Sequence, residues 1–414
     1  MKHYDVIVIG GGIVGLSSAY YLGKAGKSVL VLDKGNGTDG CSFGNAGYVS
    51  PSHFIPLSSP GIVSKGLKWM MSSDSPFYLK PRLNLDLARW GWQFMQHATD
   101  QHVSASKKLL ADLSILSRSL HKEIAEELKL NFREEGIVML CNTEKTLKHE
   151  IEIGEMAADL GVPAKTMSMN ELDALDPNVK KNALGGVFFP QDAFTDPKIF
   201  MKQLPSLLKP LDVTIEYGAA VTKFNNVGGK IQSVQANSID YSADQFVMAA
   251  GSFSPPLMKK LGLRLLLEPG KGYSVDWVNP ASMPSVSYIF VEARVAITPL
   301  ADRVRLAGTM EIGGLNEHVN MTRAHGFLRS IQNYFPDYEF EKIKDLPIWA
   351  GLRPCSPDGL PYVGRTRKYK NLILATGHAM LGFTLGPATG KLVMEIALEE
   401  KTSLEIGMLS ANRY

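Results

Sequence analysis

Four residues near the start of the chain, Gly10, Gly12, Gly15 and Asp33, have types and spacing that point to a binding chemistry. Glycines at GxGxxG spacing permit a tight turn, let a diphosphate approach the backbone and let a helix pack closely on a sheet. The free amides at the start of that helix bind phosphate. Asp33 would accept hydrogen bonds from ribose hydroxyls and would repel a 2′-phosphate. The pattern therefore predicts a dinucleotide site and disfavours NADP.

The surrounding residues predict the elements that such a site needs. Residues 5–9 form a short run rich in Val and Ile, which is typical of a strand buried on both faces. Ile13 and Leu16 begin a stretch with helical spacing of apolar residues, and residues 28–32 read as a second buried strand that Asp33 closes. Strand, glycine turn, helix, strand and acid thus occur in the order that a dinucleotide-binding unit requires.

Composition limits the class of protein. A length of 414 residues favours about two domains, and 45% hydrophobic with 21% charged residues is ordinary for a globular chain. A net charge of +3 argues against nucleic acid as a partner. The three cysteines fit no metal-ligand pattern and favour a reducing compartment. We find neither a secretory signal nor an apolar run of about 20 residues, so a cytoplasmic protein without a metal site or a spanning helix is expected.

Residues 40–52 form a loop of small and polar residues directly after the predicted ribose-binding acid. This position would return the loop to a bound cofactor, where Ser42, Asn45, Ala46 and Gly47 would form a cradle of backbone and hydroxyl groups. A plain surface loop explains the same composition equally well. The residues alone leave both interpretations open.

Residues 54–100 combine an apolar stretch, broken by Pro and Gly, with a tryptophan-rich helix. One interpretation is a membrane-surface or quinone-facing patch within residues 54–72. Its anchors and head-group contacts would be Trp69, Met70, Met71, Lys65 and Lys68. The other interpretation is a buried cap over the site, because Leu87, Trp90 and Phe94 fall on one helical face and aromatic residues at this spacing are more often core. We favour the cap.

The remainder of the chain predicts a second sheet and a return to the first one. Residues 272–310 alternate strands with turns, which favours a largely antiparallel sheet. Ala250 and Gly251 end an apolar strand, and such small residues let backbone approach a ligand at the carboxyl end of a sheet. The last helix is expected to begin at Gly386 and Pro387.

Longer motifs give the chain a resemblance to a known family. The motifs are GGGIVG at 10–15, SFGNAGYVSP at 42–51, FVMAAGSFS at 246–254, GLRPCSPDGLPYVGRT at 351–366 and LILATGHAMLGFTLGPATG at 372–390. Together they resemble, from end to end of the chain, the D-amino-acid oxidase superfamily of FAD enzymes. Within that superfamily the chain is most similar to the bacterial D-amino-acid dehydrogenases, through KWM at 68–70, KGYSV at 271–275, VAIT at 295–298 and the segment of residues 349–366.

The resemblance implies an α/β architecture with two domains. A discontinuous, Rossmann-like FAD-binding domain would comprise residues 1–85, 190–262 and 345–414. A substrate or cap domain, built on a mixed and largely antiparallel sheet, would comprise residues 86–189 and 263–344. The resemblance also implies oxidation of an amine α to a carboxylate. The product would be an imine that hydrolyses to a 2-oxo acid, or that stays cyclic for proline-like substrates.

The resemblance assigns substrate binding to Arg353 of the GLRP motif, because an arginine fork matches a carboxylate bidentately. A structural salt bridge is the alternative role for this residue. Tyr273 would add a hydroxyl contact to the same carboxylate, unless it is a packed sheet residue. His53 would reach the pocket. His378 would be a catalytic acid/base or a flavin contact, although a lone histidine is more often structural, and hydride transfer to a flavin needs no dedicated base.

The predicted cofactor is non-covalent FAD. The resemblance places around it the glycine turn, the ribose-binding acid, the loop cradle and the segment before the last helix: Gly10, Gly12, Ile13, Val14, Gly15, Asp33, Lys34, Ser42, Asn45, Ala46, Gly47, Val221, Ala250, Gly251, Gly377, His378, Leu381, Gly382 and Thr384. Three departures from related enzymes matter. Cys355 does not align with the flavin-linked cysteine of sarcosine oxidases, Met310 stands near their oxygen-activating lysine, and Met380 stands where glycine oxidases carry an arginine.

The leading hypothesis is an FAD-dependent dehydrogenase of D-amino acids, including proline-like ones such as hydroxy-D-proline. Electrons would pass to a quinone or another carrier. The alternatives are an oxygen-using oxidase of glycine, sarcosine or another secondary amine, and an NAD-dependent dehydrogenase on the same fold. The expected partners are the amino acid and the electron acceptor, without nucleic acid. Peripheral contact with the cytoplasmic side of a membrane, through residues 54–72, accompanies the surface-patch interpretation.

Overall fold

The structure is a computed structural model and describes residues 2–64, 66 and 75–414. Its strands are β1 (Lys2–Ile9), β2 (Val29–Leu32), β3 (Tyr48–Val49), β4 (Phe77–Leu79), β5 (Phe132–Arg133), β6 (Ile137–Cys141), β7 (Lys165–Met167), β8 (Gly185–Phe189), β9 (Ala193–Thr195), β10 (Val213–Glu216), β11 (Val221–Val227), β12 (Lys230–Ala236), β13 (Ile239–Met248), β14 (Glu268–Val278), β15 (Ser287–Phe290), β16 (Val295–Pro299), β17 (Arg303–Ile312), β18 (Ile348–Cys355), β19 (Tyr362–Arg365) and β20 (Leu372–Thr376). Its α-helices are α1 (Ile13–Lys24), α2 (Leu85–His97), α3 (Asp100–Glu127), α4 (Glu144–Asp159), α5 (Met169–Leu175), α6 (Pro197–Leu208), α7 (Ser254–Lys260), α8 (Met321–Ile331), α9 (Phe340–Ile343) and α10 (Gly382–Ala397).

The first sheet carries the predicted strand–turn–helix–strand unit at its centre. Its order is β10-β2-β1-β13-β12-β11, and β20 lies beside the second half of β13 with β19 beyond it. Strands β10, β2, β1, β13 and β20 run parallel. All of β2 and the second half of β1 are buried, as their Val and Ile content predicts. The carboxyl ends of β1 and β2 meet at the glycine turn, which is where an open α/β sheet binds its ligand.

Helices α1 and α10 pack against each other at very close range. A Cβ at Gly386 would lie 2.5 Å from Ile13 Cγ1, and a Cβ at Gly390 would lie 2.5 Å from the carbonyl carbon of Ser17. The two helices therefore approach to a distance that only glycine allows, and the start of α10 lies next to the start of α1.

The second sheet has the order β18-β14-β17-β16-β15-β6-β8-β7, and β4 pairs with β17. Among the described residues its parallel pairings are those of β15 with β6 and of β17 with β4. The α/β fold with a mixed, largely antiparallel second sheet is therefore confirmed. One face of this sheet packs on an aromatic core that includes Tyr273, Tyr288 and Phe327. The other face meets the loop of residues 40–52.

Sheet membership differs from the predicted domain boundaries at two places. β18 pairs with β14 of the second sheet, although the predicted FAD-binding segment starts at residue 345. β4 pairs with β17, although residues 1–85 are predicted to belong to the FAD-binding domain. Both strands therefore belong to the second sheet through their backbone pairing. The sequence of neither strand reveals its partner. The remaining boundaries stay a prediction.

Helix α2 has the two-sided character that the cap interpretation predicts. Leu87 and Trp90 are buried, and Trp90 Nε1 donates a hydrogen bond to Cys355 O at 2.9 Å. On the other side of the helix, Trp92 and Met95 are 58% and 51% exposed. The residues that the surface-patch interpretation needs lie outside the described residues: Trp69, Met70, Met71, Lys65 and Lys68. Across the described ranges, every helix is too short or too polar to cross a membrane.

The last helix begins earlier than predicted. Helix α10 starts at Gly382, after a short turn at Ala379–Leu381, and Pro387 lies inside it. The predicted start at Gly386 was wrong. That prediction took Pro387 to lie in the first turn of the helix, where proline is common, but Pro387 lies in the second turn. Inside a helix, Pro387 cannot donate to the carbonyl of Phe383, and helix α3 makes up for that missing bond.

Candidate active site

The glycine turn between β1 and α1 has a geometry that requires glycine at two positions. Gly10 has φ +112°, and a Cβ there would lie 2.4 Å from Ala249 O. A Cβ at Gly15 would lie 1.8 Å from Gly10 O. Helix α1 has no side-chain cap, and Ile13 N donates to Ser42 Oγ at 3.0 Å. The remaining amides of the first turn are available to an anion, as the sequence predicts.

Asp33 directly follows β2 and faces the same turn. Its carboxylate accepts hydrogen bonds from Gly11 N at 2.5 Å and from Gly35 N at 2.7 Å. A carboxylate offers about four lone-pair positions, so about two remain for ribose hydroxyls. The structure therefore fixes the orientation of this acid and leaves it with acceptor capacity.

The other predicted residues at this end of the site lie on neighbouring elements. Ala219 N donates to Asp33 O at 2.7 Å, and Val221 begins β11 two residues later. The exposed Lys34 places Nζ 3.2 Å from the centroid of the Phe253 ring. Lys34 is thus held by an aromatic ring that follows β13.

The loop of residues 42–47 joins the glycine turn to the second sheet. Ser42 binds the start of α1, as described above. Three side chains of the second sheet donate hydrogen bonds to three consecutive carbonyls of this loop: Ser274 to Gly44 at 2.8 Å, Arg305 to Asn45 at 2.8 Å and Thr298 to Ala46 at 2.7 Å. Within the loop, Gly47 N donates to Asn45 Oδ1 at 2.7 Å. The loop therefore lies between the two sheets, and this is not the environment of a plain surface loop.

The hydrogen bond to the carbonyl of Asn45 is donated by Arg305, which belongs to a buried ion pair. Arg305 is 1% exposed, and its Nε and Nη2 lie 2.6 and 2.8 Å from the two carboxylate oxygens of Asp276. Although burial opposes it, the Arg305 guanidinium holds the pKa of Asp276 well below its usual range. The paired acid keeps Arg305 oriented, so Nη1 points at Asn45 O.

The start of α10 meets the same loop. Thr384 Oγ1 donates to Tyr48 O at 3.0 Å. Gly377, with φ +83°, leads out of β20, Leu381 is the N-cap of α10 and Gly382 is its first residue. No side chain caps this helix. The structure thus brings the uncapped starts of α1 and α10 together beside one loop.

Arg353 projects from β18 without an acidic partner. Its Nη1 donates to Thr309 O at 2.7 Å, and within the described residues this is the one hydrogen bond of the guanidinium, with no carboxylate within ion-pair distance. The side chain is half-buried. Burial lowers the pKa of the guanidinium, and the thiols of Cys41 and Cys355 oppose this shift. The structural salt bridge considered for Arg353 is therefore absent from the described part of the chain, and the cation is left for an anionic ligand.

Glycines make room for Arg353 on its face of the sheet. A Cβ at Gly272 would lie 2.0 Å from Arg353 Nη1. A Cβ at Gly44, in the loop opposite, would lie 2.2 Å from the ring of Trp349. Trp349 lies on the same face as Arg353, four residues before it on β18. Arg353 therefore lies in the layer between the second sheet and the loop of residues 42–47.

Tyr273 faces the other side of this sheet, because successive residues of a strand point to opposite faces and its neighbour Gly272 lies under Arg353. Its hydroxyl bonds to Glu311 Oε1 at 2.5 Å and accepts from Asn320 N at 2.9 Å. The residue is 1% exposed. The structure therefore does not bring Tyr273 to Arg353, and this corrects the expectation that both residues contact the substrate carboxylate. Tyr273 is instead the packed sheet residue that the alternative interpretation describes.

The two predicted histidines make structural contacts. His378 Nε2 lies 2.9 Å from Thr389 Oγ1, and burial lowers the pKa of its ring to about 3. His53 Nδ1 lies 3.0 Å from Ser52 Oγ, and burial lowers the pKa of its ring to about 4. Both rings are neutral at physiological pH, and neither forms a hydrogen bond with Arg353. An acid/base role for His378 gains no support from this placement.

Sequence reasoning missed three residues of the site. Gly11 is the middle residue of the GGG run, and its amide binds Asp33. Arg305 and Thr309 lie in β17, where the alternation of the strand marks them no differently from their neighbours. The sequence contained a signal only for Gly11, which is part of the GGG run.

The residues present fit FAD. A Cβ at Gly12 would lie 3.2 Å from Ser42 Oγ, so a side chain there would crowd the hydroxyl that binds the start of α1, and glycine leaves the backbone of the turn open to a diphosphate. The uncapped starts of α1 and α10 offer amide donors, and Asp33 offers acceptors for ribose. These groups, with the loop of residues 42–47, lead from the first sheet to the layer that holds Arg353. The predicted residues of the turn, the loop and the start of α10 would therefore hold FAD.

Comparisons with known proteins agree with this fit. The family described as FAD dependent oxidoreductase matches residues 5–396. The chain is similar to a protein named D-amino acid dehydrogenase from Methylobacterium radiotolerans, with 34% identity over 420 residues and 99% of each chain covered. A protein of the same name from Granulibacter bethesdensis is 32% identical over 422 residues, again with 99% of each chain covered.

Solved structures share the fold. The glycine oxidase from Geobacillus kaustophilus superposes with a TM-score of 0.81 at 21% identity, over 100% of both chains. The L-proline dehydrogenase from P. horikoshii superposes with a TM-score of 0.75 at 19% identity, over 99% of this chain and 97% of that one. At such identities the likeness establishes the fold.

Proposed function

The chain belongs to the family of FAD-dependent oxidoreductases, and we propose that it acts as a dehydrogenase of D-amino acids. The FAD cofactor predicted from the motifs is confirmed by the family. The relatives named D-amino acid dehydrogenase support the substrate class, because they are more than 30% identical over 99% of the chain. The proposed reaction converts the amino acid to an imino acid, which hydrolyses to a 2-oxo acid unless the imine is cyclic.

One observation carries the proposal. Arg353 is a half-buried guanidinium without an acidic partner in the described residues, in the layer between the second sheet and the loop that joins the cofactor turn. Removing a cation from water without pairing it is unfavourable. A substrate carboxylate would supply the missing charge and would accept two parallel hydrogen bonds from the fork.

The residues of the chain act by binding and orientation. When bound, FAD supplies the acceptor for the hydride that leaves the α-carbon. Arg353 would hold the carboxylate, and its bond to Thr309 O would fix the plane of the guanidinium. The substrate nitrogen enters the reaction as a neutral amine and gives a proton to solvent as the carbon–nitrogen double bond forms. His378 and Tyr273 are held by Thr389 and Glu311, so neither is placed to carry that proton.

We propose a quinone or another carrier as electron acceptor. Sarcosine oxidases carry an oxygen-activating lysine near the position of Met310, and Met310 lies on the face of Arg353, since a Cβ at Gly270 would be 2.3 Å from its sulfur. Lys271 on β14 points to the other face, where its Nζ donates to His318 O at 2.6 Å. Peripheral contact with a membrane stays a prediction, because much of residues 54–72 lies outside the described ranges.

The test is a panel of D- and L-amino acids, glycine, sarcosine and hydroxy-D-proline, with an artificial dye as acceptor, run in air and without oxygen. Reduction of the dye by D-amino acids, without hydrogen peroxide in air, is the expected result. Failure of every D-amino acid to reduce the dye contradicts the proposal. Rapid peroxide formation with glycine or sarcosine would instead identify an oxidase.

The same panel applied to variants tests the role of Arg353. Arg353→Lys keeps the charge but loses the fork, and Arg353→Ala loses both. We expect KM to rise by roughly 100-fold for the alanine variant, from the loss of a charged hydrogen-bonded contact. Arg329→Ala is the matched control, because the exposed Arg329 stacks on Phe340 away from the site. Equal KM values for Arg353→Ala and the control would remove Arg353 from the site.

A further inference from the structure

The carbonyl of Thr309 accepts a hydrogen bond, whereas its side-chain hydroxyl has no partner among the described residues. Thr309 O accepts the hydrogen bond from Arg353 Nη1 at 2.7 Å. Thr309 Oγ1 is buried and has no hydrogen-bond partner among the described residues. Buried hydroxyls nearly always have a partner, because leaving one without a hydrogen bond is unfavourable. One residue thus combines a carbonyl that is bonded to Arg353 with an unpaired hydroxyl, and this combination points to a ligand that completes the hydroxyl.

The backbone of Thr309 adds a second, independent observation. Its φ is +67°, a left-handed value that is a genuine outlier for a β-branched residue. The residue lies at the bulge where the pairing of β14 with β17 shifts, between the pairs Lys271–Glu311 and Tyr273–Gly308. Such strain persists only where surrounding structure enforces it, and it concentrates at ligand-binding sites. Bulges likewise re-aim side chains next to active sites.

The neighbouring contacts hold this conformation in place. Met310 N, the next amide, donates to Pro76 O at 2.7 Å, so the chain after Thr309 is tied to the segment before β4. Gly308, the residue before it, packs under Phe327, since a Cβ there would lie 3.1 Å from the ring. The carbonyl of Thr309 therefore meets Arg353 from a bulge whose two neighbouring residues are fixed elsewhere.

We propose that Thr309 is a substrate-binding residue whose hydroxyl donates a hydrogen bond to the carboxylate that Arg353 holds. The inference rests on the proposed function, because it takes the substrate carboxylate to bind at Arg353. A hydroxyl can donate to a carboxylate, and a bond to a charged acceptor is stronger than one to a neutral acceptor. Arg353 and Thr309 would together form one clamp, joined internally by the bond between Nη1 and the Thr309 carbonyl.

Two variants separate the hydroxyl from the shape of the side chain. Thr309→Val keeps the branched shape and removes the hydroxyl, whereas Thr309→Ser keeps the hydroxyl. The probe is propanoate, which is D-alanine without its amine, with propanamide as the neutral counterpart. Binding is followed on the FAD-loaded enzyme as the perturbation of the flavin absorption, so the measurement does not depend on turnover.

The expected result is a loss in propanoate affinity of about 10- to 100-fold for Thr309→Val, with Thr309→Ser near the wild type. Propanamide should bind weakly to all three proteins. With D-amino acids, Thr309→Val should raise KM more than it lowers kcat, because the contact is present in the bound ground state as well as in the transition state. Retained flavin absorption and an unchanged thermal unfolding temperature would show that Thr309→Val is folded.

Two failures remain distinguishable. If the wild type binds propanoate and oxidises D-amino acids but Thr309→Val binds propanoate equally well, the role of Thr309 is overturned while the proposed function stands; a buried water on the hydroxyl would give this result. If the wild type itself neither binds propanoate nor oxidises any D-amino acid, the proposed function fails. If Thr309→Val does not fold, affinity in Thr309→Ser and Thr309→Ala decides, since only the alanine variant should then lose propanoate binding.

Discussion

His121 Nε2 lies 2.7 Å from the carbonyl oxygen of Phe383, in the first turn of α10. A carbonyl oxygen only accepts, so Nε2 must carry the proton and Nδ1, which has no partner in the described chain, must be bare. In an unbroken helix the amide four residues later would fill this carbonyl, but that residue is Pro387. His121 of α3 thus replaces the hydrogen bond that the proline removes, and it stabilises the uncapped end of α10 beside the cofactor turn.

Substitution of His121 and Pro387, singly and together, should show that their effects on the free energy of unfolding are coupled. His121→Phe keeps an aromatic ring against Phe200 and Phe383 but leaves the carbonyl unpaired, at an expected loss of about 1–3 kcal/mol in unfolding free energy. Pro387→Ala restores an amide that can donate to Phe383 O. In the Pro387→Ala background, His121→Phe should therefore cost at least about 0.5 kcal/mol less. Denaturant unfolding of the four proteins measures the coupling, and strictly additive losses would contradict it.

Tyr273 and Arg353 should give opposite kinetic results. Tyr273→Phe removes a hydroxyl that binds Glu311 and Asn320 on the far face of the sheet, so unfolding free energy should fall by about 1–3 kcal/mol. KM for a D-amino acid should change by less than about twofold, because the side chain does not share a face with Arg353. Steady-state kinetics beside denaturant unfolding checks both quantities. A large rise in KM with unchanged stability would return Tyr273 to the substrate site.

The glycine turn should not tolerate a methyl group at Gly15. In Gly15→Ala the new carbon would lie 1.8 Å from Gly10 O, a backbone atom that cannot rotate away. We expect a loss of about 3 kcal/mol or more in unfolding free energy and a protein purified largely without flavin. Gly91→Ala is the matched control, because Gly91 lies in α2 with no atom within 4 Å of an added carbon. That control should gain about 0.5–1 kcal/mol from helix propensity and keep its flavin.

Asp192 should make the stability fall as pH rises. It is fully buried, and burial raises the pKa of its carboxyl from 3.8 to about 7, against hydrogen bonds from Ser52. The folded state holds this proton more strongly than the unfolded state. The contribution of Asp192 is therefore complete below pH 3.8 and is lost as pH approaches about 7.

The neutral variant Asp192→Asn isolates this effect from other titrating groups. Relative to the variant, the wild type should lose up to about 1.4 kcal/mol per pH unit between about pH 4 and pH 7. Thermal or denaturant unfolding at several pH values gives this difference. Gln203→Ala, at an exposed position without a titratable side chain, is the control and should show a constant difference. A constant difference for Asp192→Asn as well would show that the carboxyl titrates normally.

The parts of the fold that local sequence determines were predictable. The strand–turn–helix–strand unit of β1, α1 and β2 depends on residues that are neighbours in the chain, and glycine spacing, apolar runs and the closing acid suffice to identify it. The antiparallel second sheet followed from strands separated by short turns. Arg353 was identified as a site residue through a family motif. Its local sequence could not identify it, because the sequence of a strand does not show whether an arginine has an acidic partner.

The rest of the site depends on pairings between distant residues. The side of the sheet on which Tyr273 lies is set by the register of β14 with β18, and no residue near Tyr273 encodes that register. Thr309 reaches the site through a bulge, whose left-handed conformation favours glycine and is invisible in a threonine. The helix start at Gly382 was missed because the partner of the carbonyl that Pro387 leaves free is His121, which is 266 residues earlier in the chain.

Both sheets are completed by strands from the last part of the chain. β20 (Leu372–Thr376) adds to the parallel centre of the first sheet, and β18 (Ile348–Cys355) adds the strand that carries Arg353 to the second. During synthesis, β1 and β2 can pair with β10 and β13 as soon as β13 (Ile239–Met248) has been made, whereas β20 and β18 join only when most of the polypeptide has left the ribosome. Pairings over such sequence distances form slowly and leave apolar surface open to aggregation. Completion of both sheets is thus a late event, and a chain that stops short of β18 would lack the strand of Arg353 and the pairing of β20 with β13.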